Sequence, residues 1–435
     1  MPLTAGPAID DAERLPWTAA LGAVPLDQGV LAALARALLG ADALHPRRLT
    51  NPPPFGEVPC QQADSGDHDM AERLRVALLF GGRSAEHDVS VMSAGNVFRA
   101  LDPARYETVP IGITRSGAWL LCSLEGGAFP VAVPERGPRV ALVPGGFGRL
   151  AILSETRGPH DLSRAVNVVF PVLHGPFGED GTVQGVAEIA GVPYVGSGVL
   201  GSAAAMDKDV AKRLMRDRGL PIARFLSFAQ GDAPAFDAVV AELGRPVFVK
   251  PARLGSSVGI SKAGTEQEFA KAIAEAFRHD RKIMVEEFVR GREIECGVLE
   301  GEDGSLIASL PGEIVPSNRH GFYTYEAKYL DEQGAAIKVP ADLAPEVSDK
   351  VRKLSIEAFR ALGCESMARI DFFLREDGKL VVNEVNTLPG FTNISMYPKV
   401  MEALGISYAE LVDRLIRHAV ARAGFVQDAA KAGAG

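Results

Sequence analysis

The chain has 435 residues, 47% of them hydrophobic and 23% charged, which is the composition of a globular protein large enough for two or three packed domains. Its net charge of -9 and the lack of a Lys/Arg-rich stripe argue against nucleic acid as a partner. The four cysteines lack C-x-x-C spacing, the N-terminus is acidic, and no apolar run is long enough to cross a bilayer. We therefore expect a cytoplasmic protein with neither a structural zinc site nor a membrane span.

Residues 1–72 differ in composition from the rest of the chain. They hold nine of the 29 prolines, and acidic residues outnumber basic ones. Such a segment buries too little apolar surface to offset the entropy of ordering, so we predict a poorly ordered N-terminal extension. Within it, Leu26 to Leu44 has a helical pattern, which predicts either a marginal helix or one that packs on another surface.

Residues 73–195 alternate apolar strands with helical periods. Strands are predicted at Val76–Phe80, Thr108–Ile113 and Val166–Phe170, with a helix from about Val89. This order predicts an N-terminal α/β domain with an open parallel sheet.

Two predicted strands of this domain end in glycine and polar residues. Gly81 and Gly82 precede Glu86, and His174 lies in H-G-P-F-G-E-D-G. Taken singly, Glu86 could hold a substrate ammonium or complement a helix dipole, and His174 could be structural. Because open sheets bind ligands at the carboxyl ends of their strands, the pair indicates a shared substrate pocket. The G-x-G-x-x-G pattern of a Rossmann cofactor site is missing.

Residues 196–291 form the second predicted domain, a small α+β unit. Its helices are expected at about Asp207–Arg218, Phe236–Leu243 and Glu266–Phe277, and its strands at Pro246–Lys250 and Ile283–Phe288.

This second domain contains candidate nucleotide ligands. Lys250 ends a strand and could reach a phosphate, while the following Gly/Ser loop, with Ser256 and Ser257, lets backbone N–H groups approach it. Lys208 begins a helix, where a cation is unfavourable unless an anion lies nearby. Glu286 and Glu293 suit an adenine amino group and ribose hydroxyls, although exposed strand-end charge would explain them equally well.

Residues 292–424 form the third predicted domain, with long strands, a helix at Leu343–Leu362 and a final helix after Ser407; residues 425–435 are expected to be a tail. The run from Ala368 to Asn386 reads as two alternating strands joined at Asp377 and Gly378, because Asp-Gly is a strong hairpin signal.

A two-residue loop would place Asp371 opposite Glu384 and Arg369 opposite Asn386, all on one face. The two carboxylates would repel by roughly 4 kcal/mol at about 4 Å and an effective dielectric constant near 20. A solvated face could tolerate this, but a hard divalent cation is the natural counter-charge, since all three oxygen-bearing residues are suitable ligands. The pattern therefore suggests a Mg²⁺ site beside a phosphate.

An ordered set of motifs extends from about Leu74 to Ala423: A-L-L-F-G-G-R-S-A-E-H-D-V-S, H-G-P-F-G-E-D-G, M-D-K, K-P-A-R-L-G-S-S-V-G-I, Y-E-A-K-Y-L, A-R-I-D-F-F and N-E-V-N-T-L-P-G-F-T. In this set the chain resembles the D-alanine:D-alanine ligase family of the ATP-grasp superfamily. The resemblance implies an ATP-grasp fold, with ATP held between two antiparallel sheets of the second and third domains. It also implies formation of D-alanyl-D-alanine for peptidoglycan through an acyl phosphate.

The resemblance assigns roles to the candidate residues. The phosphates of ATP would be contacted by Lys208, Lys250, Lys328, Ser256 and Ser257. The adenine and ribose would be contacted by Glu286 and Glu293. Two Mg²⁺ ions, which Mn²⁺ could replace, would be held by Asp371, Glu384 and Asn386. Arg369 and the N–H of Gly390 would face the oxyanion. Glu86 would orient the amine of the first D-alanine, His174 would lie near its carboxylate, and Ser395 would hold the second carboxylate.

Residues 316–330 have the composition of a lid loop. The resemblance links Tyr329 through Ser256 to Glu86, and Tyr at this position favours an amine nucleophile over D-lactate. One departure is Leu254, where some relatives carry an acidic residue, which puts a secondary contact near the lid in doubt. The resemblance also implies a homodimer.

Three other interpretations stay open on the sequence. One is an ATP-grasp ligase with a different carboxylate and amine, another is a D-alanine:D-lactate or D-alanine:D-serine ligase, and the third is a regulatory nucleotide-binding protein with a decayed site.

Overall fold

The computed structural model describes residues 73–153, 163–232, 234–256, 258–316 and 335–433. The chain divides into Met1–Asp69 and Met70–Gly435, and the described residues belong to the second unit. The predicted helix at Leu26–Leu44, Ser257, and the lid residues Lys328 and Tyr329 lie outside them.

The described residues contain nine α-helices; the six that were predicted lie close to their predicted positions, and the other three were not predicted. In chain order the nine are α1 (His87–Ala100), α2 (Thr182–Ala190), α3 (Val199–Met206), α4 (Lys208–Asp217), α5 (Phe236–Leu243), α6 (Glu266–His279), α7 (Pro345–Ala361), α8 (Met396–Glu402) and α9 (Tyr408–Gly433). Helix α9 continues into the predicted tail. None of the described helices is both long enough and apolar enough to cross a membrane.

The first sheet has the strand order β3-β2-β1-β6, with β1 parallel to β2 and to β6. Its strands are β1 (Leu74–Gly81), β2 (Tyr106–Ile113), β3 (Trp119–Leu121) and β6 (Val168–Pro171), while β4 (Val140–Leu142) and β5 (Leu150–Ile152) pair separately. The predicted open parallel sheet is confirmed for β2, β1 and β6, while the edge strand β3 pairs antiparallel with β2.

Strand β1 is buried on both faces, which explains its unbroken apolar sequence. Val76, Leu78 and Phe80 belong to a core shared with α1 and α9, whereas Ala77 and Leu79 belong to a core on the α2 side. Because β1 and β6 are parallel neighbours, their carboxyl ends open at the same edge of the sheet.

The second sheet is antiparallel, with the order β7-β10-β8-β9. Its strands are β7 (Phe225–Ala229), β8 (Val247–Pro251), β9 (Ser261–Ala263) and β10 (Lys282–Glu287). Val247 and Val249 pack in a core with Phe269 of α6, so the alternating positions of β8, including Lys250, lie on the opposite face. The start of α6 is fixed by a capping box of Thr265 and Glu268.

The third sheet has the order β14-β13-β11-β15-β16, with β12 also paired to β11. Its strands are β11 (Gly291–Glu300), β12 (Leu306–Ala308), β13 (Gly312–Pro316), β14 (Ala335–Lys338), β15 (Met367–Arg375) and β16 (Leu380–Asn386). Ile294, Cys296 and Val298 of β11 pack with Val351 of α7 on one face. The predicted domain boundaries, at residues 73–195, 196–291 and 292–424, stay a prediction.

At the site end of the β15–β16 hairpin, Asp371 lies opposite Glu384 and Arg369 lies opposite Asn386, as predicted. The predicted two-residue turn, however, is wrong. Arg375 donates its N–H to Lys379, so residues 376–378 form a three-residue loop.

A β-bulge corrects the shift that this longer loop introduces. Phe372 lies opposite Val382, whereas Asp371 lies opposite Glu384, so Asn383 is the extra residue in β16. Gly378 has a φ of 75°, the left-handed conformation that a three-residue hairpin loop of this kind requires. The loop and the bulge each displace the register by one position, and the two displacements cancel.

Candidate active site

Three carboxylates form a row across adjacent strands of the third sheet. Glu295 of β11 lies opposite Asp371 of β15, which in turn lies opposite Glu384 of β16. Glu295 and Asp371 are both buried. Like charges at opposed positions repel, so the row needs cations.

Arg369 supplies one counter-charge to this row. Its Nε lies 2.8 Å from Asp371 and 2.9 Å from Glu295, and a second guanidinium nitrogen lies 2.8 Å from Asp371. Although burial lowers the pKa of Arg369, the two carboxylates outweigh it and raise the pKa well above its usual range. Asn386 donates its amide N–H to Asp371 at 3.0 Å, so its amide oxygen takes no part in this contact. The arginine is therefore a fixed, permanent cation.

A cavity of about 300 Å³ lies between the second and third sheets and collects most of the residues predicted to bind ATP. Its lining includes Lys208, Lys250, Ser256, Glu286, Glu293, Asp371 and Glu384. Lys208 begins α4 and donates to the carbonyl oxygen of Leu254 at 2.5 Å. Because a backbone carbonyl makes this contact, it does not depend on the residue type at position 254.

Glu286 is not an exposed strand-end charge, because only 3% of its surface is accessible. Its two carboxylate oxygens lie 2.5 Å from Lys250 and 2.5 Å from Lys212, a residue of α4. Burial by itself would raise the pKa of Glu286, but the two ammonium groups lower it to about 2. The residue is thus an ionised carboxylate held between two lysines.

A smaller cavity of about 80 Å³ adjoins this one and is lined by the predicted substrate residues Glu86, His174, Arg369 and Gly390. Glu86 lies at the start of α1, buried, and accepts a hydrogen bond from the Ser256 hydroxyl. The carboxyl ends of β1 and β6 thus meet the Gly/Ser loop that follows β8.

His174 and Glu179 together hold the backbone of Leu388. The Nδ1 of His174 lies 3.2 Å from the carbonyl oxygen of Leu388, and Glu179 accepts from the N–H of Leu388 at 3.3 Å and of Gly175 at 2.6 Å. The two side chains therefore position the loop that carries Gly390.

The ionisation of this pair follows from its burial. Burial lowers the pKa of His174, so the ring is neutral with its proton on Nδ1, and Nε2 has no partner among the described residues. Burial, helped by the charge of Glu86, raises the pKa of Glu179 to about 8. An unpartnered buried nitrogen in a cavity wall indicates a ligand on that side.

Gly390 lies against Ser395 at the start of α8. A Cβ atom at position 390 would come within 2.7 Å of the Ser395 hydroxyl, so a side chain there would displace it. Ser395 itself accepts from the N–H of Thr392 at 3.0 Å. Gly390 and Ser395, with Arg369 and Glu295, line a larger groove that shares Arg369 and Gly390 with the small cavity.

The three spaces share lining residues. Lys208, Ser256 and Glu384 line both the 300 Å³ cavity and the 80 Å³ cavity. Arg369 and Gly390 line both the 80 Å³ cavity and the larger groove, and Glu295 lines both the groove and the 300 Å³ cavity. A molecule in the small cavity therefore borders both of the other spaces, through two different sets of residues.

The predicted metal ligands are chemically suited to a hard cation. Asp371 and Glu384 both line the 300 Å³ cavity, and Asn386 can add an amide oxygen. Within the described ranges, no three His, Cys, Asp or Glu side chains are grouped so as to hold a metal. A divalent ion bound here would therefore take its remaining ligands from phosphate oxygens and water, as Mg²⁺ commonly does.

The sequence reasoning missed two residues of the site. Glu295 follows Glu293 by two in a strand and so shares its face, and Lys212 follows Lys208 by four on a helix; both spacings were available signals. Glu179 lies beside His174 in the H-G-P-F-G-E-D-G motif, but its contact with Leu388 was not predicted because it depends on a distant segment. Ser257, Lys328 and Tyr329 cannot be placed, because they fall outside the described residues.

A charged cleft between two antiparallel sheets, next to an open parallel domain, defines the ATP-grasp class of ligases. Family models agree: residues 75–197 match the D-ala D-ala ligase N-terminus and residues 214–417 match the D-ala D-ala ligase C-terminus. The chain belongs to the D-alanine–D-alanine ligase family.

Individual relatives give the same result. The D-alanine–D-alanine ligase A of Mesorhizobium japonicum is 58% identical over 81% of this chain and 99% of its own length. A D-alanine–D-alanine ligase of a Bradyrhizobium species is 56% identical over 81% and 96%.

Among solved structures, the D-alanine-D-alanine ligase of Coxiella burnetii has a TM-score of 0.71 at 36% identity, covering 83% of this chain and 98% of its own. The VanG D-Ala:D-Ser ligase of Enterococcus faecalis has a TM-score of 0.69 at 36% identity, covering 79% and 99%.

Proposed function

We propose that the chain joins two D-alanine molecules to D-alanyl-D-alanine with hydrolysis of ATP to ADP and phosphate, for the synthesis of peptidoglycan precursors. The observation that carries this proposal is a small cavity that borders two larger spaces, sharing Lys208 and Glu384 with one and Arg369 and Gly390 with the other. Such an arrangement suits two successive reactions at one carboxyl group.

The first reaction takes place at the wall shared with the 300 Å³ cavity. ATP lies in that cavity, with its phosphates near Lys250 and Lys208 and its adenosine near Glu286 and Glu293. A carboxylate oxygen of the first D-alanine attacks the γ-phosphorus, the bond to the β-phosphate oxygen breaks, and ADP leaves. Mg²⁺ held by Asp371, Glu384 and Asn386 would neutralise phosphate charge in this step, and Mn²⁺ is expected to replace it.

The second reaction takes place at the wall that the small cavity shares with the larger groove. The amine of a second D-alanine, with its carboxylate near Ser395, enters from the larger groove and attacks the acyl phosphate carbon. The bond between the carbonyl carbon and the phosphate oxygen breaks, and the departing inorganic phosphate takes up the proton that the nitrogen loses. Arg369 and the N–H of Gly390 line both spaces, so they are placed to stabilise the oxyanion of the tetrahedral intermediate.

Within the small cavity, Glu86 is the natural partner for the ammonium of the first D-alanine. Its carboxylate is oriented by the Ser256 hydroxyl, and the unpartnered Nε2 of His174 lies in the same wall. Lys328 and Tyr329 retain their proposed roles in phosphate binding and lid closure on the strength of the Y-E-A-K-Y-L motif.

A D-alanine:D-serine ligase is the second candidate, because the VanG enzyme matches this chain at the same 36% identity as the Coxiella burnetii enzyme. Mass spectrometry of products formed from ATP, Mg²⁺ and D-alanine, with D-serine or D-lactate as competitor, separates the candidates. We expect D-alanyl-D-alanine to predominate; a predominant mixed product would overturn the assignment, and the absence of any dipeptide would refute the proposed activity.

A homodimer in the cytoplasm is proposed from family membership. Sedimentation of the full chain at micromolar concentration tests the assembly, and a monomeric mass would contradict it.

A further inference from the structure

Lys212 is among the most deeply buried charged residues of the described chain. It lies on α4 and is only 1% exposed. Taking an ammonium group out of water is costly unless a counter-charge is close. Because Lys212 lies in the interior, its ammonium group requires a nearby counter-charge.

The counter-charge is Glu286, whose carboxylate oxygen lies 2.5 Å from the Lys212 Nζ. Burial lowers the pKa of Lys212, and Glu286 opposes that effect. At this distance the Glu286 carboxylate stabilises the ammonium form of Lys212 relative to the neutral amine, because the neutral amine would not offset the negative charge of Glu286.

Glu286 is also paired with Lys250, at 2.5 Å from its other oxygen. The three side chains therefore form a line, Lys212–Glu286–Lys250, in which two positive charges oppose one negative charge. Glu286 and Lys250 line the 300 Å³ cavity, whereas Lys212 lies behind Glu286 on α4.

The arrangement has a simple electrostatic consequence. If Glu286 were compensated by Lys250 only, that pair would be neutral and the cavity would lose the net attraction that Lys250 offers to an anion. With Lys212 present, the line carries one positive charge in excess, at its cavity end.

We propose that Lys212 is a positioning residue for nucleotide binding. Its positive charge, on the α4 side of Glu286, offsets the negative charge of Glu286 and so leaves the charge of Lys250 available to the phosphates of ATP. This inference depends on the proposed function, since it concerns the same nucleotide cavity.

The test measures binding of ATP and of adenosine by isothermal titration calorimetry, with Mg²⁺ and without D-alanine, on the full chain. Lys212→Met should weaken ATP binding about tenfold, because a charge-assisted interaction is lost, while adenosine binding stays within about twofold. Lys271→Met, an exposed lysine on α6, is the matched control and should leave both affinities unchanged.

A second variant isolates the role of charge. Lys212→Met combined with Glu286→Gln restores one excess positive charge on Lys250, and Gln keeps an oxygen acceptor for the adenine. This double variant should bind ATP within about threefold of wild type. Because Glu286→Gln by itself leaves two unopposed positive charges, it should bind ATP more tightly than the double variant does.

The outcomes are distinguishable. Equal losses for ATP and adenosine, or a double variant as weak as Lys212→Met, would overturn the inference and assign Lys212 to packing only. If thermal denaturation shows that Lys212→Met does not fold, the test compares the ATP affinity of Glu286→Gln with that of the double variant. Equal ATP affinities of these two variants would count against the inference. Failure of the wild type to bind ATP at all would instead refute the proposed function.

Discussion

The hydroxyl of Ser256 donates to the carboxylate of Glu86 across 170 residues of sequence, and so ties the Gly/Ser loop to the start of α1. Ser256 has a φ of 50°, a left-handed conformation that costs a residue with a side chain about 1 kcal/mol. The contact therefore holds the backbone in a conformation that glycine would adopt more easily.

We predict that Ser256→Ala raises the KM for the first D-alanine about tenfold, since Glu86 loses the donor that orients it. Steady-state ADP release against D-alanine concentration measures this. Ser256→Gly is the informative control, because it relieves the backbone and still removes the hydroxyl. It should be as impaired as Ser256→Ala; wild-type kinetics in the glycine variant would show that the hydrogen bond has no part in substrate binding.

Removing the charge of Glu384 should nearly abolish the reaction. Glu384→Gln keeps the size of the side chain but loses the charge of a proposed metal ligand, so D-alanine-dependent ADP formation should fall by about two orders of magnitude or more. Glu376→Gln, in the exposed loop of the same hairpin, is the control and should have no effect. Near-normal turnover of Glu384→Gln at saturating Mg²⁺ would remove Glu384 from the metal site.

Arg369 should not tolerate replacement by lysine. The guanidinium contacts Asp371 through two nitrogens and also Glu295, a geometry that a single ammonium cannot reproduce. Arg369→Lys is expected to lower kcat about 100-fold and to reduce the Tm, whereas Arg375→Lys, more exposed on the same strand, should change neither. If Arg369→Lys had a normal kcat and a reduced Tm, the role of Arg369 would be structural only.

Glu179 should make stability depend on pH. Its pKa is about 8 in the folded chain against an ordinary 4.5, so the stability that its protonated form contributes is complete below pH 4.5 and is lost as the pH rises through 8. Glutamine cannot ionise, so Glu179→Gln should gain Tm relative to wild type between pH 5 and pH 9.

Thermal melts across that range, read by circular dichroism, check the sign. Glu125→Gln, at an exposed position, is the control and should follow wild type at every pH. A difference between Glu179→Gln and wild type that stays constant with pH would show that Glu179 is ionised in the folded chain throughout.

Much of the fold followed from local patterns. Strands β1, β2 and β6 of the first sheet and helices such as α5 were predicted to within two or three residues, because apolar periodicity and Gly/Pro boundaries are local signals. The three-residue strand β3 was not predicted. The opposition of Asp371 and Glu384 was also predicted, since a hairpin fixes its own pairing within a few residues.

What the sequence did not reveal depends on pairing between distant segments. Glu295 faces Asp371 only because β11 and β15 pair in one particular register, and more than 60 residues separate them. The sequence left Glu286 open between a nucleotide contact and an exposed strand-end charge, because its burial depends on α4, a helix that begins long before it in the chain. The same holds for Glu179, whose partner Leu388 lies 209 residues away. Such contacts follow from the assembled fold rather than from any local spacing.

The hairpin of β15 and β16 also sets limits on how this chain can change in length. A one-residue deletion in the loop at residues 376–378 would leave Arg375 opposite Lys379, because a two-residue loop also closes a hairpin, so Asp371 would stay opposite Glu384. A one-residue deletion in β16 between Leu380 and Val382 would instead shift the residues that follow, and Glu384 would stay opposite Asp371 only if Asn383 took a paired position and the bulge disappeared. A library that trims the hairpin should therefore recover active variants with a shorter loop, or with a shorter β16 and no bulge, so the distance that selection protects is measured across the strands and not along the chain.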